Sequence, residues 1–152
     1  MSRIRPIAIA VISRPRDGAL LVFDGYDSVK RERFHRPLGG GIEFGETAEA
    51  AVRRELREEL GAELEGVALL GFLENLFTCE GRAGHEIVAV LWARLADPAL
   101  YARDEIPIVE NGAPGTARWV ARSGFRSAQH PGAPPLYPDG LPALLDATGR
   151  RA

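Results

Sequence analysis

The chain has 152 residues, the size of one ordinary globular domain, and 45% of them are apolar, which excludes collagen-like and disordered chains. Nineteen basic residues against 21 acidic ones leave a formal charge of -2, so a strongly basic nucleic-acid footprint is disfavoured, although a local basic groove stays open. The single cysteine, Cys79, can form neither an internal disulfide nor a thiolate zinc cluster. The early apolar run Ile7–Ile12 is too short to cross a membrane. These properties lead to the expectation of a soluble, cytoplasmic protein with one domain over residues 1–152 and no membrane partner.

After the leader Met1–Pro6, the run Ile7–Ile12 lacks polar alternation and reads as a strand buried on both faces. Asp17-Gly18 is a hairpin turn signal, with Ala19–Phe23 as the returning strand. Residues 25–33 are polar and charged, which predicts a loop, and Phe34–Leu38 is a short extended piece before Gly39-Gly40-Gly41. Thr47 to Leu60 is the clearest helix: Ala48, Val52, Leu56 and Leu60 recur every four residues, Thr47 is a suitable N-cap, and Gly61 a left-handed stop. Leu64–Thr78 and His85–Leu95 read as long strands joined across Glu80–Gly84. Residues 97–116, rich in Pro, Gly and charge, predict a long irregular insertion. Arg118–Ala121 predicts a further strand, and Leu141–Ala147 a short helix after the Pro-rich stretch His130–Pro138. The class is mixed α/β.

The central helix breaks its own rules. On a wheel of 100° per residue, Glu59 falls inside the apolar stripe, Glu55 on its edge and Glu58 farther round. Glu55 and Glu59 repel at i,i+4, at a cost of about 0.2–0.5 kcal/mol. All three acids also lie in the C-terminal half, where the helix dipole prefers cations by about 0.3–1 kcal/mol per charge. One reading is a solvated face in which Arg54 neutralises Glu58 at i,i+4. The other is a bound divalent cation, which removes the repulsion and stabilises the ionised acids. Oxygen-only ligands favour a hard ion, Mg²⁺ first and Mn²⁺ second.

The surrounding spacing decides between them. Gly40, Glu46, Arg54, Glu55, Glu58, Glu59 and Gly61 fill all seven invariant positions of a 23-residue pattern over residues 40–62, which resembles the Nudix box. Leu56 fits an aliphatic position, while Ala62 is smaller than the usual aliphatic there. The resemblance implies a Nudix-type α/β/α sandwich with a mixed β-sheet between helices. It implies hydrolysis of the pyrophosphate bond of a nucleoside diphosphate linked to another moiety, X, with Mg²⁺ or Mn²⁺ as cofactor. Glu55, Glu58 and Glu59, with the backbone carbonyl of Gly39, are the implied metal ligands. Glu55 also orients or deprotonates the attacking water, and Arg54 holds its carboxylate. Gly40, Glu46 and Gly61 are structural members of the box, Glu46 as a brace of the loop or as a first-turn dipole residue. The family pattern of a further acid from a late loop leaves Glu105 and Glu110 as candidates, with Glu86 third.

On the substrate side, Arg36, just before Pro37, and Lys30 are candidates to meet phosphates or the second substituent. Phe34, Phe72, Phe77, Tyr101 and Trp119 are candidates to stack on a base. His35, His85 and His130 form no ligand spacing, and Cys79 reads as a small hydrophobe. The alternative from another class is a non-catalytic, nucleotide-sensing Nudix domain, against which all three helix acids argue. The expected partner is a small nucleoside diphosphate derivative rather than a nucleic acid, and a homodimer is left open.

Overall fold

The computed structural model describes residues 2–150; Met1 of the leader and Arg151 and Ala152 of the tail lie outside them. The element order is β1 (Arg5–Ile12), β2 (Leu20–Asp27), β3 (Glu32–Arg36), β4 (Leu38–Gly41), α1 (Ala48–Leu60), β5 (Leu64–Cys79), β6 (Arg82–Leu95), β7 (Glu105–Glu110), β8 (Ala113–Val120) and α2 (Leu141–Ala147).

β1 organises the fold because both of its faces and both of its edges are used. Its edges pair with β4, antiparallel, and β6, parallel, giving a mixed sheet in the order β4-β1-β6-β5. Its faces alternate, as strand geometry demands. Ala8, Ala10 and Ile12 enter the core with Ala51, Val52 and Leu56 of α1, while Ile7, Ile9 and Val11 pack with Leu141 and Leu145 of α2. The mixed sheet therefore lies between the two helices, an α/β/α sandwich. A second, wholly antiparallel sheet, β3-β2-β8-β7, adds Ile106, Ile108, Ala117 and Trp119 to the core on the α1 side.

Three expectations fail on pairing. The run Ala19–Phe23 does not return as a hairpin partner of β1: apart from one bridge between Ser13 and Leu20, it joins the other sheet. A strand has two edges, and those of β1 are taken by β4 and β6. The expected loop at 25–33 is mostly strand, because β2 runs on to Asp27 and β3 starts at Glu32. The expected insertion at 97–116 contains a β-hairpin, β7–β8, closed by Asn111 and Gly112, both at positive φ (50° and 77°). That is the geometry an Asn-Gly two-residue turn supplies at little cost. Pro107 is tolerated because β7 is the edge strand of its sheet.

α1 follows its signals. Thr47 Oγ1 accepts from the Ala50 N–H at 3.0 Å, and Gly61, at φ 66°, closes the helix with its N–H on the Arg57 carbonyl. Val52 and Leu56 are fully buried, each worth about 1.5–3 kcal/mol in removal from water. Glu59 is buried with them, although it is a carboxylic acid. β5 and β6 meet in a tight turn at Glu80-Gly81, again both at positive φ, so the long strands extend further than expected.

Candidate active site

Pairing of β4 with β1 holds Gly39 opposite Ile9 and Gly40 opposite Ala8, at the N-terminal approach to α1. Gly39 takes φ 152°, and a Cβ there would lie 2.1 Å from the Ala8 carbonyl oxygen, so only glycine fits. At Gly40 a Cβ would lie 2.4 Å from Glu55 Oε1. The missing side chain is the space that the Glu55 carboxylate occupies.

Arg54 is the hub of the loop. Its Nε donates to Glu46 Oε1 at 2.8 Å, its Nη2 to Glu46 Oε2 at 3.0 Å and to the Gly41 carbonyl at 2.9 Å, and its Nη1 to Glu55 Oε1 at 2.9 Å. Glu58 is a weaker partner, at 3.4 Å, and is largely exposed. The Arg54 guanidinium, with help from the Glu43 N–H, holds the Glu46 carboxyl down at about 2. Glu46 therefore braces the loop against the helix, through a bidentate pair of the strong, planar kind.

Glu59 has the opposite surroundings. Burial, then the carboxylates of Glu110 and Glu55, push it well above the usual carboxylate range, with Arg36 acting the other way. Its Oε2 is buried without a hydrogen-bond partner. Glu110, at the end of β7, is ion-paired with Arg36 of β3, 74 residues away in the chain. Glu86 of β6 is also buried, with Arg5 at 3.7 Å. Glu55, Glu58, Glu59, Glu86 and Glu110 line a cavity of about 510 Å³, with Arg36, Arg54 and Gly39–Gly41. Among the described residues, no three acid, imidazole or thiol side chains stand together closely enough to hold a metal ion by themselves.

Of the three candidate late acids, Glu110 and Glu86 reach this cavity. Glu105 does not: it lies at the far end of β7, exposed and 3.2 Å from Arg118. A second cavity, of about 830 Å³, shares Ile7, Ile9, Arg36, Glu86, Glu110 and Asn111 with the first, so the two adjoin. Lys30 lines its wall, with its Nζ on the Thr78 carbonyl and 3.9 Å from Asp27. Phe34 and Phe77 line it too, together with Tyr137, whose ring is centred 5.7 Å from that of Phe34. Phe72 is exposed, and Tyr101 and Trp119 stack on each other, 5.4 Å apart, outside both cavities.

Arg5, Asn75, Asn111 and Tyr137 are cavity residues that sequence reasoning did not single out. Asn75 had a signal, since it is polar at an inward position of the alternation Leu73, Asn75, Phe77 in β5. Asn111 had one in the Asn-Gly pair. Arg5 and Tyr137 are placed only by packing.

The family model for the NUDIX domain matches residues 3–139. The chain belongs to the Nudix family. Three of its cavity acids, Glu55, Glu58 and Glu59, lie in the stretch 40–62, while Glu86 and Glu110 come from β6 and β7, and the family match covers nearly the whole fold. The MutT Nudix hydrolase from Burkholderia pseudomallei superposes with a TM-score of 0.64, at 24% identity, over 95% of this chain and 98% of that one. A Nudix hydrolase from Nitrosomonas europaea gives 0.63 at 17% identity, over 98% and 92%. The E. coli ORF135 protein gives 0.57 at 22%, over 99% and 93%. At these identities the likeness is one of fold. In sequence, a 31-residue stretch is 64% identical to the nucleoside triphosphatase NudI of Enterobacter sp. (strain 638), covering 20% of this chain and 22% of that protein.

Proposed function

We propose that this Nudix protein, acting as one domain, is a pyrophosphohydrolase that cleaves a nucleoside diphosphate linked to a further group X. The observation that carries the reading is Glu59. A buried carboxyl with an unpartnered oxygen, crowded by Glu55 and Glu110, costs stability unless something positive is received there.

The residues suit a divalent cation, because the donors are all oxygens and one Glu59 oxygen is buried without a hydrogen-bond partner. Glu55, Glu58, Glu59 and the Gly39 carbonyl would hold it. Mg²⁺ is the first choice and Mn²⁺ the second for a carboxylate and carbonyl set. Such an ion supplies charge neutralisation at phosphate oxygens and lowers the pKa of water.

The chain's own groups do the rest. Arg54 fixes Glu55 through Nη1, so that the carboxylate presents a defined oxygen to an attacking water and accepts its proton. The water oxygen bonds to a phosphorus, the bridging P–O bond breaks, and the leaving phosphate departs with its electron pair. Arg36 lines both cavities and is paired with Glu110; in this reading its guanidinium would meet a phosphate oxygen. Lys30, at the wall of the larger cavity, suits an anionic group on X or the nucleoside half.

The test is product release across nucleoside triphosphates, ADP-ribose, sugar nucleotides, dinucleoside polyphosphates and oxidised nucleotides, with Mg²⁺ and Mn²⁺ compared. Metal-dependent release from at least one class is expected. No release from any of them would overturn the reading.

A further inference from the structure

We infer that Phe34 and Phe77 form the two walls of a slot in which the aromatic base of the substrate's nucleoside half stacks. The inference deepens the proposed function and rests on it only for the phosphates attached to that base.

The two rings come from different sheets and are placed by the same device. Phe34 of β3 stands opposite Gly25 of β2, and Phe77 of β5 opposite Gly84 of β6. A Cβ at Gly25 would lie 2.2 Å from Phe34 Cζ, 2.4 Å from Cε2 and 2.7 Å from Cε1; one at Gly84 would lie 2.2, 2.5 and 2.6 Å from the same atoms of Phe77. Distances this similar mean that each ring lies across its glycine rather than pointing at it tip-first. Backbone thereby covers one side of each ring, the usual relation of an aromatic side chain to a strand glycine. Both rings remain half-buried, and both line the larger cavity.

Their depth in the cleft also matches. At the tips of the strands the sheets are tied together: the Glu80 N–H donates to Asp27 at 3.2 Å, the Ser28 N–H to Glu80 at 2.6 Å, and Lys30 Nζ to the Thr78 carbonyl. Counting inward by the strand period, Gly25–Phe34 is the first pair behind Asp27–Glu32, and Phe77–Gly84 the first behind Cys79–Arg82. The rings thus share one layer. The next layer inward holds Arg36 from one sheet and Glu86 from the other, where the larger cavity meets the acidic one. At about 3.3 Å per residue, the ring layer lies about 7 Å from Arg36, roughly the reach of a sugar between its phosphate and its base. Hydrocarbon faces open to a cavity favour a flat, weakly hydrated group, and every nucleobase has two π-faces to offer. Phe72 provides the contrast: it lies on the other face of β5, exposed and outside both cavities.

The test uses Phe34→Leu and Phe77→Leu, which stay apolar and lose the ring, with Phe72→Leu as control. The probes are AMP and ribose 5-phosphate; they share the sugar and phosphate, and neither has a pyrophosphate bond to cleave, so calorimetry can be run with Mg²⁺ present. Wild type is expected to bind AMP at least about tenfold more tightly, each cavity variant to bring that ratio within about threefold, and Phe72→Leu to leave it unmoved. Phe34→Tyr and Phe77→Tyr, which keep the ring, should keep the ratio. In NMR spectra, the adenine H2 and H8 protons should shift upfield on binding to wild type and less with either Leu variant, a signature that a purely structural ring would not move. AMP bound no more tightly than ribose 5-phosphate, absence of binding up to about 10 mM included, overturns the inference. So does a ratio that both Leu variants, or one of them, leave unmoved. If a Leu variant does not fold, nuclear Overhauser contacts from H2 and H8 to the ring protons of Phe34 and Phe77 in wild type decide, and their absence at either ring overturns the slot. A wild type that shows the base preference but hydrolyses nothing keeps the slot and loses the proposed function; hydrolysis without the preference does the reverse.

Discussion

The carboxylate of Glu55 rests against the backbone of Gly40, in the space that any other residue would fill with its Cβ. A β-strand glycine and a helix acid fifteen positions later in the chain thus share one site. Gly40→Ala is expected to fold, with a stability loss of about 1 kcal/mol or less, because the atom it meets is the far end of a flexible side chain. Hydrolysis should drop at least about tenfold, since Glu55 must turn away from its bond with Arg54. Equal activity in Gly40→Ala would show that this placement of Glu55 is irrelevant to the chemistry.

Glu59→Gln should separate stability from function. The amide keeps the shape and removes a buried acid, so in chelator the variant should melt at least about 3 °C above wild type at about pH 9. The sign follows from the raised folded-state value. A carboxyl held neutral by burial contributes fully below its ordinary value of 4.5 and loses that contribution as pH rises through the raised one. The gap between variant and wild type should therefore close toward about pH 5. Hydrolysis by Glu59→Gln or Glu58→Gln should fall at least about tenfold. Full activity in both, with the true substrate, would sink the assigned site.

Glu46 runs the other way. Held at about 2 by Arg54 against an ordinary 4.5, it contributes stability above about pH 4.5 that is lost as pH falls through about 2. Glu46→Gln should flatten the acid limb of a melting-temperature profile and leave the alkaline limb unchanged. An unaltered acid limb would mean that the loop brace does not contribute to folding.

Arg54→Lys keeps the charge and loses the fork. One ammonium cannot reach Glu46, the Gly41 carbonyl and Glu55 together, so the expected cost is about 1–3 kcal/mol of stability by chemical denaturation. A loss of under about 0.3 kcal/mol would demote the network to surface pairing.

Gly112→Ala tests the hairpin that delivers Glu110. With φ at 77°, alanine is strained there, by about 1 kcal/mol. The end of β7 should shift, and kcat/KM should drop more than that stability loss alone accounts for. A variant with normal activity would mean that Glu110 is not needed where it stands.

What the sequence determined on its own was local. The cap Thr47, the stop Gly61 and the four-residue recurrence of Ala48, Val52 and Leu56 define α1, because helix geometry converts spacing into direction. The same geometry put Glu55, Glu58 and Glu59 on neighbouring turns before any fold was known. The burial of Ile7–Ile12 on both faces was equally legible, since a run without polar alternation has no face to offer water. Partners were not legible. Nothing local says that β1 gives its edges to β4 and β6 rather than to β2, because strand pairing depends on which edges the rest of the chain leaves free. The Arg36–Glu110 pair spans 74 residues, and the Asn75–Glu86 pair depends on the register of two long strands. Charge and polarity are visible in a sequence, but burial, which turns Glu59 and Asn75 into demanding groups, is a property of what packs around them.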